Sequence, residues 1–271
     1  MALTIAALHI YPVKGLKGID LQSARCTERG LEHDRRWMVV DADGEFLSQR
    51  EMPRMATIWT DIADGALTLS APEMSAVDVP LDPRPTPAIR VRVWNSLCEA
   101  IPVSSYADAW LSDYLGVPCR LVHMPDSTRR LSNPEHGGDG KLVGFADGYA
   151  YLATTQASLD DLNARLAVRG ARPVPMNRFR PNLVVNGAEP FAEDQWKEVR
   201  VGSAVLRGAK PCGRCQVTTT DQTTGEVTGP EPLATLGTFR HSDRFGEMFG
   251  MNLVTVTPGE VRVGDRVEVT S

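Results

Sequence analysis

The stretch KPCGRCQVTTTDQTTGE, residues 210–226, contains two of the five cysteines of the chain, Cys212 and Cys215, separated by two residues. Basic side chains lie beside the pair at Lys210 and Arg214. A thiol pair with this spacing suits three kinds of chemistry: a structural zinc site, a dithiol redox pair, or a single thiolate that binds a soft metal. Each of the three makes a different demand on the rest of the sequence.

Zinc fits the sequence poorly, because a structural zinc site needs four ligands and this pair supplies two. The chain has no second Cys-x-x-Cys pair, and its five histidines show no ligand spacing. A dithiol redox pair of the thioredoxin type opens a helix, whose N-terminus lowers the pKa of the reactive thiol. Here a β-branched run follows instead, which predicts a strand over residues 215–220.

The third kind of site uses one thiolate as a metal ligand. A free cysteine, with a pKa of about 8.5, is mostly protonated at neutral pH, and nearby positive charge or a metal favours the thiolate. Arg214 adjoins Cys215, and Lys210 lies upstream. A single protein thiolate leaves the other coordination positions to a cofactor's own ligands and to the substrate.

The composition excludes several classes of protein. The 271 residues are 42% apolar and 23% charged, which allows one large domain or two modest ones. Nineteen prolines and 23 glycines indicate short elements and a β-rich fold. A net charge of -5 argues against nucleic-acid binding. The apolar runs are too short to span a bilayer, and three isolated cysteines with an odd total favour a reducing cytoplasm.

Local patterns predict individual elements. Residues 3–12 are typical of a strand, and Ser104 or Ser105 caps a helix that ends at Gly116. Thr155 caps a second helix, which Gly170 ends. The closing residues 251–271 predict a pair of strands around Pro258–Gly259, and the Gly- and Pro-rich residues 124–146 a long functional loop.

At this point the chain resembles a known family. Residues 210–226 are similar to the signature of MOSC-domain proteins, the molybdenum cofactor sulfurase C-terminal family, and in particular to its amidoxime-reducing branch. The likeness extends over nearly the whole chain through several further motifs in order: YPVKGLKG (11–18), GLEHDRRWMVVD (30–41), ASLDDLN (157–163), NRFRPNLVV (177–185) and TPGEVRVGDRV (257–267).

The resemblance implies an α+β, β-rich fold, with an N-terminal MOSC-associated β domain over residues 1–122 and a β-barrel-like MOSC domain over 123–271. It implies that Cys215 binds the molybdenum of a molybdopterin cofactor, while Cys212 lies close without ligating. Asp147 matches an acidic position near the metal, where it would help to deliver protons during catalysis.

The same resemblance assigns the residues that hold the cofactor. Lys14, Arg35 and Arg180 match positions that bind the anionic pterin, and Asn182 and Arg214 are expected neighbours of the site. Guanidinium and ammonium groups suit the phosphate of such a cofactor. Since these residues are scattered along the chain, folding must bring them together, which places the site where the two domains meet.

Three positions depart from the family pattern. Gly15 stands where amidoxime-reducing relatives often have serine, and Gly148 and Tyr149 stand where small hydroxyl residues are common. We expect these changes to remove hydrogen bonds to the cofactor.

The predicted function is a molybdenum-dependent reductase of amidoximes, hydroxylamines or N-hydroxylated bases. The plant-type iron–sulfur spacing is missing, so electrons come from a separate donor of the cytochrome b5, ferredoxin or flavin reductase type. Two alternatives stay open. One is a cofactor-binding or sulfur-carrier module without turnover, and the other is a dithiol oxidoreductase that uses Cys212 and Cys215.

Overall fold

The computed structural model describes residues 2–84 and 86–270 and confirms a β-rich α+β fold. The strands are β1 (Thr4–Ile10), β2 (Val13–Lys14), β3 (Ile19–Leu21), β4 (Ser23–Thr27), β5 (Gly30–Leu31), β6 (Trp37–Val40), β7 (Trp59–Ala63), β8 (Ala66–Ser70), β9 (Val77–Pro80), β10 (Ile89–Val93), β11 (Ser96–Pro102), β12 (Arg120–His123), β13 (Tyr151–Thr155), β14 (Leu183–Asn186), β15 (Glu198–Val201), β16 (Ala204–Gly213), β17 (His241–Ser242), β18 (Gly246–Thr257), β19 (Gly259–Arg262) and β20 (Val267–Thr270). The helices are α1 (Ser105–Leu115), α2 (Pro134–Gly137), α3 (Gln156–Val168) and α4 (Leu233–Leu236). Short 3₁₀ helices span Pro53–Thr57, Met176–Arg178, Ala192–Gln195 and Gln216–Thr219.

The largest sheet has the strand order β20-β15-β16-β18-β13-β14-β1-β3, with β17 paired to β18. It rolls into a barrel because the first half of β1 bonds back to the chain just before β20. The Ile5 N–H donates to the Asp265 carbonyl at 2.9 Å, and the Val267 N–H donates to the Leu3 carbonyl at 2.9 Å. The first strand of the chain therefore closes a barrel built mostly from C-terminal strands.

The second large sheet, β10-β11-β12-β6-β2, lies entirely within the first half of the chain. Its core contains Trp37 and Val39, packed with the apolar side of α1 and with strands β8 and β9. The barrel has a separate core that includes Ile5, Leu8 and Leu253. Two packed bodies thus meet along β1, β2 and the segments that flank them.

Both predicted helices are confirmed with their caps. The Ser104 Oγ accepts from the Ala107 N–H, and Gly116 ends α1 in the left-handed region at φ +73°. The Thr155 Oγ1 accepts from the Ser158 N–H at the start of α3. Strand β1 confirms the strand predicted for residues 3–12.

Two local predictions are wrong. Residues 216–219 form a 3₁₀ helix instead of a strand, because the Thr218 and Thr219 hydroxyls donate to the carbonyls three residues earlier, at 3.0 and 2.7 Å. The two strands on either side of Pro258, β18 and β19, do not pair with each other. Instead β18 pairs with β13 and β16, and β19 pairs with β4.

Candidate functional site

An open cleft with a volume of about 160 Å³ lies between the barrel and the second sheet. All seven residues singled out as site residues line it: Lys14, Arg35, Asp147, Arg180, Asn182, Arg214 and Cys215. They come from the end of β2, the segment before β6, the loop before β13, the segment before β14 and the end of β16. Folding therefore brings together residues that are far apart in sequence.

The cleft is strongly cationic. Its lining contains five basic residues and one acidic residue, although the chain as a whole carries a net charge of -5. Like charges in a partly enclosed space repel one another, and a bound anion relieves that repulsion. The lining is thus suited to a ligand with several negative charges.

Lys14 and Asp147 form an ion pair across the cleft. The Lys14 side chain is buried, whereas the Asp147 carboxylate is 68% exposed at the open side of the cleft. Burial lowers the pKa of Lys14, and the Asp147 charge opposes that shift. Desolvation alone would raise the pKa of Asp147, but Lys14, the indole N–H of Trp94 and Arg35 together lower it well below its usual range. Asp147 is consequently a carboxylate at neutral pH.

Arg35 and Arg180 both pack against one tyrosine ring. Their guanidinium carbons lie 4.3 and 4.2 Å from the centroid of the Tyr11 ring. Both arginines have backbone φ angles in the left-handed region, +47° and +54°, which is uncommon for residues with a side chain. Burial lowers the pKa of Arg180 to about 10 and raises that of Tyr11 to about 12, so both keep their usual charge state at neutral pH.

Asn182 connects three elements beneath the cleft. Its side-chain oxygen accepts from the Leu152 N–H and from Arg35 Nη1, both at 3.1 Å, and its amide nitrogen donates to the His9 carbonyl. The buried Asp34 carboxylate accepts from the same Arg35 nitrogen at 2.7 and 2.9 Å. Asn182 therefore holds Arg35 in place and is itself almost fully buried.

The two cysteines differ in their contacts. Cys212 lies in β16, and its sulfur accepts from Arg214 Nη1 at 2.9 Å. Cys215 begins the following 3₁₀ helix, and both cysteines are free thiols that line the cleft. The expectation that Arg214 supports the Cys215 thiolate needs correction, because its guanidinium hydrogen-bonds the other sulfur and the Phe179 carbonyl.

Lys210, the other cation expected to favour the thiolate, contacts an aromatic ring. Its ammonium lies over the Phe245 ring, 4.9 Å from the centroid. Gly213 lies between Cys212 and Cys215 and lets β16 run close to its neighbour, since a Cβ there would lie 1.9 Å from the Phe245 carbonyl oxygen. Only glycine permits this close approach of β16 to the neighbouring hairpin.

No cluster of three or more His, Cys, Asp or Glu side chains that could hold a metal occurs within residues 2–84 and 86–270.

Sequence reasoning missed several residues of the site: Tyr11, Arg50, Trp94 and Arg130. Arg50 and Trp94 line the cleft, and the buried Arg130 donates to the carbonyls of Gly144, Ala146 and Asp147, which fixes the loop that carries Asp147. Tyr11 is the first residue of the YPVK motif, so the motif was a signal that could have identified it. Nothing in the sequence marks Arg50 or Arg130.

Comparisons with known proteins agree with this architecture. The chain matches the family described as MOSC N-terminal beta barrel domain over residues 2–118 and the MOSC domain over residues 136–268. A β-rich chain with both domains is a MOSC-domain protein, and this chain belongs to that family.

Its curated relatives specify the branch that it resembles. It is 36% identical to mitochondrial amidoxime-reducing component 1 of Mus musculus, over 97% of this chain and 81% of that protein. It is 34% identical to the Homo sapiens protein of the same name, over 97% and 82%. A solved structure, the YUAD protein from Bacillus subtilis, is 11% identical over 99% of this chain and 96% of that chain, with a TM-score of 0.45, too distant a likeness to bear on function.

The relatives are named mitochondrial, so the cytoplasmic location predicted from cysteine usage stays a prediction. Among the residues that the structure describes, no helix combines the length and the apolar character needed to cross a membrane. The domain boundary at residue 122 and the individual roles of the seven site residues also stay predictions.

Proposed function

We propose that this protein is a molybdenum cofactor-dependent reductase of N-hydroxylated compounds, with Cys215 as the protein ligand of the metal. The single observation that carries the proposal is the convergence of two free thiols and five cations on one cleft. The names of the relatives, amidoxime-reducing components, give the class of substrate.

The cleft residues fit an anionic pterin cofactor. Arg50 makes no ion pair with any residue of the described ranges, and the buried Nε of Arg214 has no partner there either. Guanidinium groups with unused donors favour a ligand rich in acceptor oxygens. Lys14, Arg35 and Arg180 would hold the anionic groups, and Cys215 would supply the soft donor.

When bound, the molybdenum centre supplies the two-electron reduction that converts an N-hydroxylated group into the amine or amidine with release of water. The protein binds and orients the reacting groups. Lys14 Nζ and Asp147 Oδ1 are hydrogen-bonded to each other, so a proton can pass between these two atoms, and the open side of the cleft admits protons from solvent. The electrons come from a separate donor protein.

The test is elemental analysis of protein made in a host that synthesises the cofactor, for wild type, Cys215→Ala and Cys212→Ala. Since one thiolate holds the metal, we expect Cys215→Ala to lose molybdenum and activity and Cys212→Ala to retain the metal. Activity is measured as reduction of hydroxylamine with an artificial electron donor.

The same experiment separates the two alternatives. A wild-type protein that binds molybdenum but never reduces hydroxylamine would be a cofactor-binding or sulfur-carrier module. Equal loss of activity in the two alanine variants, without molybdenum in the wild type, would identify a dithiol oxidoreductase. The hydrogen bond from Arg214 to Cys212 is the observation that keeps this second alternative worth testing.

A further inference from the structure

Trp94 occupies an unusual position at the edge of the cleft. It is the first residue of the two-residue turn between β10 and β11, where Val93 pairs with Ser96. Its φ is +54°, a region that favours glycine, and its side chain is 36% exposed. Strained backbone conformations concentrate at functional sites, and this one holds a large aromatic side chain at the edge of the cleft.

Three contacts fix the indole ring. Its Nε1 donates to Asp147 Oδ1 at 3.1 Å. The Phe46 ring packs against it at 4.7 Å between centroids, inclined by 67°, and the Arg50 guanidinium lies over it at 4.4 Å from the centroid. We call the pair of Trp94 and Arg50 the rim shelf. The shelf has a defined orientation next to the Asp147 carboxylate.

Arg50 is the movable half of the shelf. Its backbone is fixed, because its carbonyl accepts from Gln216 at 3.0 Å and its N–H donates to the Ser48 hydroxyl at 3.2 Å. Its guanidinium makes no hydrogen bond or ion pair with the residues that the structure describes and lies over the indole ring. A flat group that enters the cleft can therefore take its place on the ring or stack against it.

Open space adjoins the shelf. A Cβ added at Gly148, the residue after Asp147, would meet no atom within 4 Å, and Gly148 lines the same cleft. An aromatic ring could therefore lie beside Asp147 and against the shelf while its N-hydroxylated substituent points inward.

We propose that Trp94, together with Arg50, determines substrate specificity by stacking the aromatic part of the substrate. The inference rests on the proposed function and narrows its substrate class to flat aromatic N-hydroxylated compounds in preference to aliphatic ones. Stacking on an aromatic side chain tolerates many ring substituents, because it needs only a π face.

The test compares benzamidoxime with acetamidoxime, which present the same reacting group on a phenyl ring and on a methyl group. In cofactor-loaded protein, Trp94→Leu should raise the KM for benzamidoxime by about tenfold, the size of one lost stacking contact. The KM for acetamidoxime should rise much less, since it has no ring to stack, and the loss of the indole hydrogen bond to Asp147 affects both substrates alike. Trp94→Phe should restore most of the discrimination.

Trp59→Leu is the matched control, because Trp59 is also exposed and carries a cation, Lys17, at 5.0 Å, but lies outside the cleft. Molybdenum content is measured in every variant. An equal rise in both KM values at equal metal content, or no rise in either, would overturn the inference. If the wild type reduces neither compound, the proposed function fails, and calorimetric binding of the two amidoximes to wild type and Trp94→Leu then decides whether the shelf selects aromatic ligands.

Discussion

At the scale of single residues, the Tyr11 ring joins the parts of the chain that supply two of the cleft's cations. Replacement by leucine removes both guanidinium–ring contacts and the hydrogen bond to the Pro181 carbonyl. We expect Tyr11→Leu to lower the free energy of unfolding by about 2–3 kcal/mol and to reduce molybdenum retention. Urea unfolding and elemental analysis measure the two effects.

Tyr11→Phe is the control for that prediction. It keeps the ring that both arginines contact and loses only the hydroxyl bond, so it should cost about 1 kcal/mol and retain most of the metal. If Tyr11→Phe lost as much molybdenum as Tyr11→Leu, the Tyr11 hydroxyl, and not its ring, would be what holds the two arginines.

His123 sets part of the pH dependence of stability. Burial, followed by the nearby Arg36 charge, lowers its pKa to about 4, and its ring packs on Trp37 at 4.8 Å. The unfolded chain binds a proton near pH 6.5 and the folded one does not, so this stabilisation is complete above that pH. It is lost as the pH falls towards 4, at no more than about 1.4 kcal/mol per pH unit.

The corresponding variant is His123→Phe, which keeps a ring on Trp37 and cannot titrate. Its free energy of unfolding should fall less between pH 7 and pH 5 than that of wild type, as urea titrations at the two pH values would measure. Other titrating groups act equally in both proteins, so the difference isolates His123. Identical pH dependence would mean that the ring is protonated in the folded protein without cost.

How far the sequence predicts the site depends on the kind of residue. The motif resemblance picked out Lys14, Arg35 and Arg180, and they line one cleft. It gave no hint that Arg35 and Arg180 share the Tyr11 ring, because that contact depends on the distance between residues far apart in sequence. Their left-handed backbone angles are likewise imposed by the surrounding packing and leave no mark in the local sequence.

At the scale of elements, the turn after β2 favours glycine at position 15. Gly15 has φ +84°, and a Cβ there would lie 2.9 Å from the end of the flexible Met55 side chain. The methionine can move, but the backbone strain stays. We expect Gly15→Ser to destabilise the protein by about 1 kcal/mol without improving metal retention, as urea unfolding and elemental analysis would measure.

Gly148→Ser is the matched control, since a Cβ added at Gly148 would have no neighbour within 4 Å and its φ is not positive. It should change the free energy of unfolding by less than about 0.5 kcal/mol. If Gly15→Ser proved equally harmless, the turn would be free to relax, and the loss of a hydroxyl from the cofactor would remain the only account of this departure.

The 3₁₀ helix after Cys215 shows where element prediction fails. Val217 and the threonines that follow have high strand propensity, yet the Thr218 and Thr219 hydroxyls bond to carbonyls three residues back. Such local bonds compete with strand pairing, and propensity alone does not weigh them. By contrast, the helices with Ser104 and Thr155 caps were predictable because a cap acts within four residues.

At the scale of the whole molecule, the barrel combines strands from both ends of the chain. Strand β1 pairs with β14 along one edge and bonds to residues 264–267 along the other, so an N-terminal strand completes a C-terminal barrel. Sequence motifs locate the two halves, but they do not reveal which half a strand joins, because pairing is decided by the complementary apolar faces of distant segments.

The contribution of β1 to the barrel leads to a prediction about fragments of the chain. A chain of residues 123–271 lacks β1 and β3, which leaves one edge of β14 unpaired and exposes the barrel core around Leu183 and Val185. We expect it to unfold without a cooperative transition in urea, followed by circular dichroism. Residues 2–22 joined to it through a flexible linker should restore cooperativity, because they return β1 and β3. A cooperative transition in the unlinked fragment would show that β1 is dispensable and that the barrel closes without it.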